Sequence, residues 1–183
     1  DQPMIFFPAD HLIEKTNQFN KSINLNIKYL SDDNIFIFGI KPNSPSSQYG
    51  YFQTKKISKG INKVVKFIEK PSISDAKRII RKKGCWNSGI LLARKDSIIN
   101  NFVKYQSKTL KQCIEAINKS KVVNNVYHLD KKSFKKIHDQ SFDYAILEKS
   151  RNINAIKLNI PWSDLGSWNE ISNIYKKNKS KYF

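Results

Sequence analysis

Four carboxylates, a lysine and an asparagine stand where short polar clusters interrupt apolar sequence: Asp10, Glu69, Asp143, Asp164, Lys70 and Asn87. Asp10 follows the run Met4-Ile5-Phe6-Phe7 and then Pro8-Ala9. A carboxylate just beyond the C-terminal end of a buried parallel strand can take a metal or a hydroxyl. An Asp in that place can equally cap the next helix. Glu69 and Lys70 close the run Phe67-Ile68 ahead of Pro71. Adjacent strand residues point to opposite faces, so this acid and base do not pair with each other, and a polar strand exit before a proline turn is their commoner setting. Asn87 lies in Trp86-Asn87-Ser88-Gly89. Its amide both donates and accepts, which suits sugar hydroxyls, and a glycine lets backbone approach closely; the plainer reading is a turn into the next strand. Asp143, in Ser141-Phe142-Asp143-Tyr144-Ala145 with Glu148 further on, fits an acid at a helix N-terminus, favoured by the dipole. Asp164 sits in Trp162-Ser163-Asp164-Leu165-Gly166-Ser167-Trp168. An acid between large aromatics and a glycine is unusual for a cap and points to function.

To bring these side chains together, the chain needs strand ends at a common edge. Met4 to Phe7 reads as a buried strand of a parallel sheet. Ile13, Phe19, Ile23, Ile27 and Leu30 follow one helix face and predict an amphipathic helix over about 12–30. Asn34 to Ile40 is a second buried strand, so strand, helix and strand form a βαβ unit with a right-handed crossover. Lys41 to Gln48 is a loop, and Tyr49 to Lys56 and Asn62 to Lys70 are strands. Ser72 or Ser74 caps a helix that carries Ala76, Ile79 and Ile80 inward, with Gly84 just past its end. Trp86 to Arg94 holds another strand, and helical spacing returns at Ile98 to Phe102 and at Leu110 to Ile117. Residues 120–140 are lysine-rich and show no period. Phe142 to Glu148 reads as helix, Ile153 to Ile160 as strand, and Trp168 to Tyr175 as a closing helix capped by Ser167. The fold class is α/β, a Rossmann-like mixed and mostly parallel sheet flanked by helices. The opening strand is apolar on both faces and predicts neighbours on either side, so residues 1–183 read as the C-terminal larger part of a single domain.

Composition narrows the partners. The chain of 183 residues carries 33 lysines and arginines against 15 acids, a formal charge of +18. Such a balance invites nucleic acid. Only four of the 33 are arginines, however, and the lysines are scattered without interleaved aromatics. Lys, Asn and Ile are all abundant, as AT-rich codons favour, so drift in composition explains the charge better than a nucleic-acid footprint. Aromatic residues at 12% argue against a disordered tail. No apolar run reaches the roughly 18 residues of a membrane span. Cys85 and Cys113 are too few for a disulfide framework and fit no zinc spacing, nor do His11, His128 and His138. Free thiols and no membrane predict a cytoplasmic protein.

Taken in order, the Pro-Ala-Asp-His start, Tyr49-Gly50-Tyr51, Phe67-Ile68-Glu69-Lys70-Pro71, Trp86-Asn87-Ser88-Gly89, Phe142-Asp143-Tyr144-Ala145-Ile146-Leu147-Glu148-Lys149 and Trp162 to Trp168 resemble the mannose-1-phosphate guanylyltransferases. Leu165 stands where that family usually has Val, and Cys85 where an aromatic is common. The resemblance implies the nucleotide-diphospho-sugar transferase fold, transfer of GMP from GTP to mannose 1-phosphate, and Mg²⁺ as cofactor. It implies Asp10 and Asp164 as the metal carboxylates, Lys70 as the cation that meets the sugar phosphate, and Glu69, Asn87 and the Gly50 backbone as contacts to the sugar. Asp143 becomes a polar pocket wall, and a homo-oligomer is compatible with the resemblance. The family opens with a glycine-rich phosphate loop, whereas the glycines here, at 39, 50, 60, 84, 89 and 166, never cluster. The expectation is therefore the sugar-phosphate half of a site, in a chain that does not turn over alone. Two rivals are a glucose-1-phosphate nucleotidyltransferase and a non-catalytic sugar-phosphate-binding fragment.

Overall fold

The layering is fixed by β3 (Ile35–Ile40) in the computed structural model, which describes residues 2–58 and 61–179. All six residues of this strand are buried. Phe36, Phe38 and Ile40 pack with Phe19, Leu30, Ile79 and Trp86, whereas Ile35 and Ile37 pack on the opposite face with Phe52, Cys85, Ile146 and Leu147. A strand covered on both faces needs apolar residues throughout, which is why it reads as an unbroken run. Each such side chain contributes about 1.5–3 kcal/mol of burial.

Around it lies a six-stranded sheet in the spatial order β1 (Pro3–Phe6), β6 (Cys85–Arg94), β3, β9 (Ile153–Leu158), β5 (Ile61–Ile68) and β4 (Tyr51–Ser58). Only β3 and β9 pair in parallel among the described strands; every other ladder is antiparallel. Following those ladders, β1, β3, β9 and β4 run one way, and β5 and β6 run the other. The α/β class and the mixed sheet stand, and four strands do share a direction. What the βαβ reading misses is that β6 inserts between β1 and β3, so those two strands are parallel without being neighbours. Among the described strands the opening strand β1 has one neighbour, and Phe6 and Phe7 are 40% and 52% exposed.

The helix expected over 12–30 is shorter. Leu12–Ile13 forms β2, which pairs antiparallel with β10 (Trp162–Ser163), and α1 runs only over Thr16–Ile27. Helix α2 (Ile73–Arg81) starts as expected, with Ser72 accepting a hydrogen bond from the Asp75 N–H at 3.1 Å. Helices α3 (Lys95–Tyr105) and α4 (Ser107–Asn118) follow β6. The stretch without a readable period contains a hairpin, β7 (Lys121–Val123) and β8 (Val126–His128), and the short helix α5 (Lys131–Phe134) capped by Asp130. Asn124 and Asn125 turn that hairpin in the left-handed region at φ 49° and 62°, where Asn is one of the few side chains at ease. Phe142 to Glu148 forms one π-helical turn over Asp143–Leu147, and α6 (Trp168–Lys179) begins directly after Ser167. Both cysteines are free; burial pushes the Cys85 thiol up, against the pull of Lys157.

Candidate functional site

The first group of side chains gathers at Gly50, the residue before β4. The Asn87 N–H donates to the Gly50 carbonyl at 2.7 Å, tying the start of β6 to the approach of β4. Gly50 is buried, and a Cβ there would overlap the Glu69 carboxylate. Only glycine lets that acid lie against the backbone. The Asn87 side chain donates from Nδ2 to Asp143 Oδ1 at 2.8 Å, while its Oδ1 accepts from the Gly89 N–H at 3.3 Å. One amide hydrogen of Asn87 remains for a ligand.

The π-helical turn supplies two acids to this group. Asp143 opens it and meets Asn87; Glu148 follows it and accepts the Glu69 backbone N–H at 2.9 Å. A π turn places residues five apart on one side, as the Glu148 N–H to Asp143 carbonyl bond at 2.9 Å shows, and such turns concentrate at functional sites. The result is a crowd of carboxylates. Glu69 is pushed up to about 7 by burial first, then by the Asp143 charge, with Lys70 opposing and Glu148 adding. Burial likewise raises Asp143, although its backbone bond and the Asn87 amide pull it down. Lys70 forms no ion pair among the described residues, as its neighbouring position predicts, yet its charge acts on Glu69. Its backbone is left-handed at φ 46°, where the strand ends and the chain turns toward Pro71.

The second group centres on Asp164. The Tyr49 hydroxyl donates to Asp164 Oδ1 at 3.1 Å, and the Gly166 N–H donates to the same oxygen at 3.1 Å. Leu165 between them is left-handed at φ 52°, and a Cβ on Gly166 would stand 2.9 Å from Asp164 Oδ2. The tight turn and the missing side chain therefore belong to the acid. Tyr49 lies between two indoles, with ring centroids 4.7 Å from Trp86 and 5.7 Å from Trp162. These residues, with Asn43, Gln48 and Ser167, line an open cleft of about 560 Å³. Three buried polar atoms lack a hydrogen-bond partner among the described residues: His11 Nδ1, Trp86 Nε1 and Trp162 Nε1. Both tryptophans line the cleft, and His11 packs edge-on to Trp162 at 5.2 Å. Buried polar atoms without partners are expensive, and these three lie in or beside the cleft.

Asp10 lies two residues before β2, whose ladder with β10 sets Leu12 opposite Ser163 and Ile13 opposite Trp162. Its side chain is 81% exposed and lies 3.9 Å from His11 Nε2. It does not cap a helix: Lys15 holds that position on α1, without a side-chain bond. The structure thus groups Gly50, Glu69, Asn87 and Asp143, with the Lys70 charge beside them, and sets Asp164 apart with Tyr49, while the β2–β10 ladder brings the segment that follows Asp10 beside the segment that precedes Asp164. Sequence reasoning gives Tyr49 no part beyond its strand and Glu148 none. The Tyr-Gly pair before β4 was the available signal for Tyr49; nothing in the sequence marks a π turn, so Glu148 had none. Among the described residues, no group of three His, Cys, Asp or Glu side chains is arranged to hold a metal ion.

The family model described as nucleotidyl transferase matches residues 1–181. The chain is 31% identical to a mannose-1-phosphate guanylyltransferase of Escherichia coli, over 97% of this chain and 39% of that protein. It is 28% identical to the alginate biosynthesis protein AlgA of Pseudomonas aeruginosa, over 97% and 38%. The chain therefore spans less than two fifths of these relatives. Among solved structures, one described as a mannose-6-phosphate isomerase of Helicobacter pylori superposes with a TM-score of 0.80 at 26% identity, over 88% of this chain and 64% of that one. Another, described as a mannose-1-phosphate geranyltransferase of Thermus thermophilus, gives 0.79 at 19% identity, over 95% and 50%, and supports the fold.

Proposed function

The chain belongs to the nucleotidyl transferase family, and from that premise we propose that it forms the sugar-phosphate half of a mannose-1-phosphate guanylyltransferase. In that reaction a phosphate oxygen of mannose 1-phosphate attacks the α-phosphorus of GTP. The new P–O bond forms in line as the bond from the α-phosphorus to the bridging oxygen breaks. Pyrophosphate leaves with the electron pair, and GDP-mannose remains. Two polyanions must meet, so positioning and neutralisation of charge supply the rate.

One observation carries the reading: the dipeptide Tyr49–Gly50 belongs to both groups, Gly50 to the crowded acids and Tyr49 to Asp164. A sugar phosphate has the same two-part character, neutral hydroxyls joined to a dianion. Glu69, half-protonated near neutrality, can donate to or accept from a hydroxyl lying on Gly50. Asn87 offers its remaining amide hydrogen, and Asp143 holds that amide in place. Lys70, exposed at the strand exit, meets the phosphate as a point charge.

Asp164 and Asp10 fit a divalent cation. Mg²⁺ asks for one or two carboxylates and takes its other ligands from phosphates and water, so a two-acid set suffices. When bound, it would neutralise phosphate charge and favour the in-line arrangement. Free thiols support a cytoplasmic setting, and among the described residues no helix is long and apolar enough to cross a membrane.

The test is pyrophosphate release by the full-length protein from GTP with mannose 1-phosphate or glucose 1-phosphate. A kcat/KM at least about tenfold higher for mannose 1-phosphate is expected, the discrimination that one well-placed hydrogen bond supplies. Equal values, or a preference for glucose 1-phosphate, reject the substrate. No release with either rejects the activity.

A further inference from the structure

We infer that Tyr49 is the positioning residue that orients the Asp164 carboxylate, leaving Oδ2 as the oxygen presented to a divalent cation. The inference rests on the reading of Asp164 as a metal carboxylate and goes beyond it, because it names the group that aims the acid and the oxygen that is aimed.

Among the described residues, both hydrogen bonds to this carboxylate fall on one oxygen. Oδ1 accepts from the Tyr49 hydroxyl and from the Gly166 N–H, each at 3.1 Å. Two donors from different segments fix rotation about the Cβ–Cγ bond, which one donor would not do. Oδ2 lies on the side where Gly166 has no Cβ; an added methyl would sit 2.9 Å from it. The Gly166 bond closes a local turn and would form wherever that turn forms. The Tyr49 bond is different, since it spans 115 positions of sequence. Its ring, in turn, is held against Trp86 and Trp162. A hydroxyl on a ring packed in that way is a rigid donor. Tyr49 also precedes Gly50, whose carbonyl takes the Asn87 N–H at 2.7 Å. A displacement of the sugar-side backbone therefore reaches Asp164 through one residue. Metal ligands depend on such partners: losing the group that orients a ligand typically weakens metal binding by about 10–100-fold.

The test uses the full-length protein and Tyr49→Phe, which keeps the ring between the indoles and removes only the donor. Mn²⁺ is titrated onto protein saturated with GDP-mannose, and free Mn²⁺ is read by its electron paramagnetic resonance signal. Tyr49→Phe should raise the Mn²⁺ dissociation constant about tenfold and the Mg²⁺ activation constant in parallel. The KM for mannose 1-phosphate at saturating Mg²⁺ should stay within about twofold, a split that a general loss of structure would not give. Asp164→Asn is titrated alongside. Weakened Mn²⁺ binding in Asp164→Asn with unchanged binding in Tyr49→Phe overturns the inference and leaves Asp164 as a metal residue. Unchanged binding in both overturns the metal assignment together with the inference.

Discussion

Around Gly50 the acids Glu69, Asp143 and Glu148 crowd one another, with the Lys70 charge acting on Glu69 and Asp143. Around Asp164 the acid meets a phenol and a backbone N–H, in a cleft lined by two indoles. The two regions are joined by one dipeptide yet treat a carboxylate in opposite ways. Crowding and burial favour the protonated form of Glu69, which can then exchange hydrogen bonds with neutral hydroxyls. Neutral donors orient Asp164 without cancelling its charge, which suits a cation. A site for a sugar phosphate needs both treatments, side by side.

The contrast breaks most sharply at Asp164. Asp164→Asn keeps the volume and Oδ1 while removing the charge, and kcat in the full-length protein should fall on the order of 10²–10³-fold, as when a group that stabilises transition-state charge is removed. The KM for mannose 1-phosphate should change little. Steady-state kinetics at saturating Mg²⁺ check this, and a raised KM with intact kcat would merge the two regions into one. Gly50→Ala should produce the reverse pattern. The new methyl overlaps the Glu69 carboxylate and drives it off the backbone, so the sugar-phosphate KM should rise roughly tenfold, about 1.4 kcal/mol, with kcat nearly kept.

Glu69→Gln should have the smallest effect and the most distinctive one. Folding raises this pKa from 4.5 to about 7. The folded state therefore holds the proton more tightly, and the associated stability is full below 4.5 and lost as pH rises through about 7. Glutamine, which does not titrate, should flatten the pH dependence of unfolding across that window. At pH 8 the variant should be more stable than the parent by about 1–2 kcal/mol, a figure reduced from the full shift because the group is half exposed to screening solvent. Urea unfolding at pH 5 and pH 8 measures it. Parallel curves for parent and variant would show that Glu69 is not crowded.

Much of this architecture was legible because burial leaves a mark on residue type. Ile35 to Ile40 could only be a strand covered on both sides, and Ser72 announced α2 by its hydroxyl. The polar clusters were legible too, each standing out from apolar neighbours. What was not legible depended on partners distant in sequence. Leu12 and Ile13 carry a helical spacing but are claimed by Trp162 and Ser163 across a ladder. The insertion of β6 between β1 and β3 follows from how its edges pair, not from its composition. Glu148 entered the pocket because the turn it follows is π-helical, and a change of one residue in hydrogen-bond reach has no signature in side-chain chemistry. The part of Tyr49 was not legible because a phenol that packs and one that aims differ only in where the hydroxyl points.

The pairing of β2 with β10 has a consequence for the order in which the protein becomes competent. It joins Leu12–Ile13 to Trp162–Ser163, far apart in sequence, by two residues on each side. During synthesis, the early carboxylate at Asp10 has left the ribosome long before Asp164 is made. The strands of the large sheet all precede residue 160, so that sheet can assemble first, but this ladder waits for Trp162–Ser163. Contacts so far apart in sequence form late, and a ladder so short is expected to be among the first to open in the finished molecule. Nascent or nicked chains ending before residue 160 would thus hold the acids around Gly50 in a folded sheet while lacking Asp164 and the strand that pairs with Leu12–Ile13, so that one region precedes the other through chain order alone.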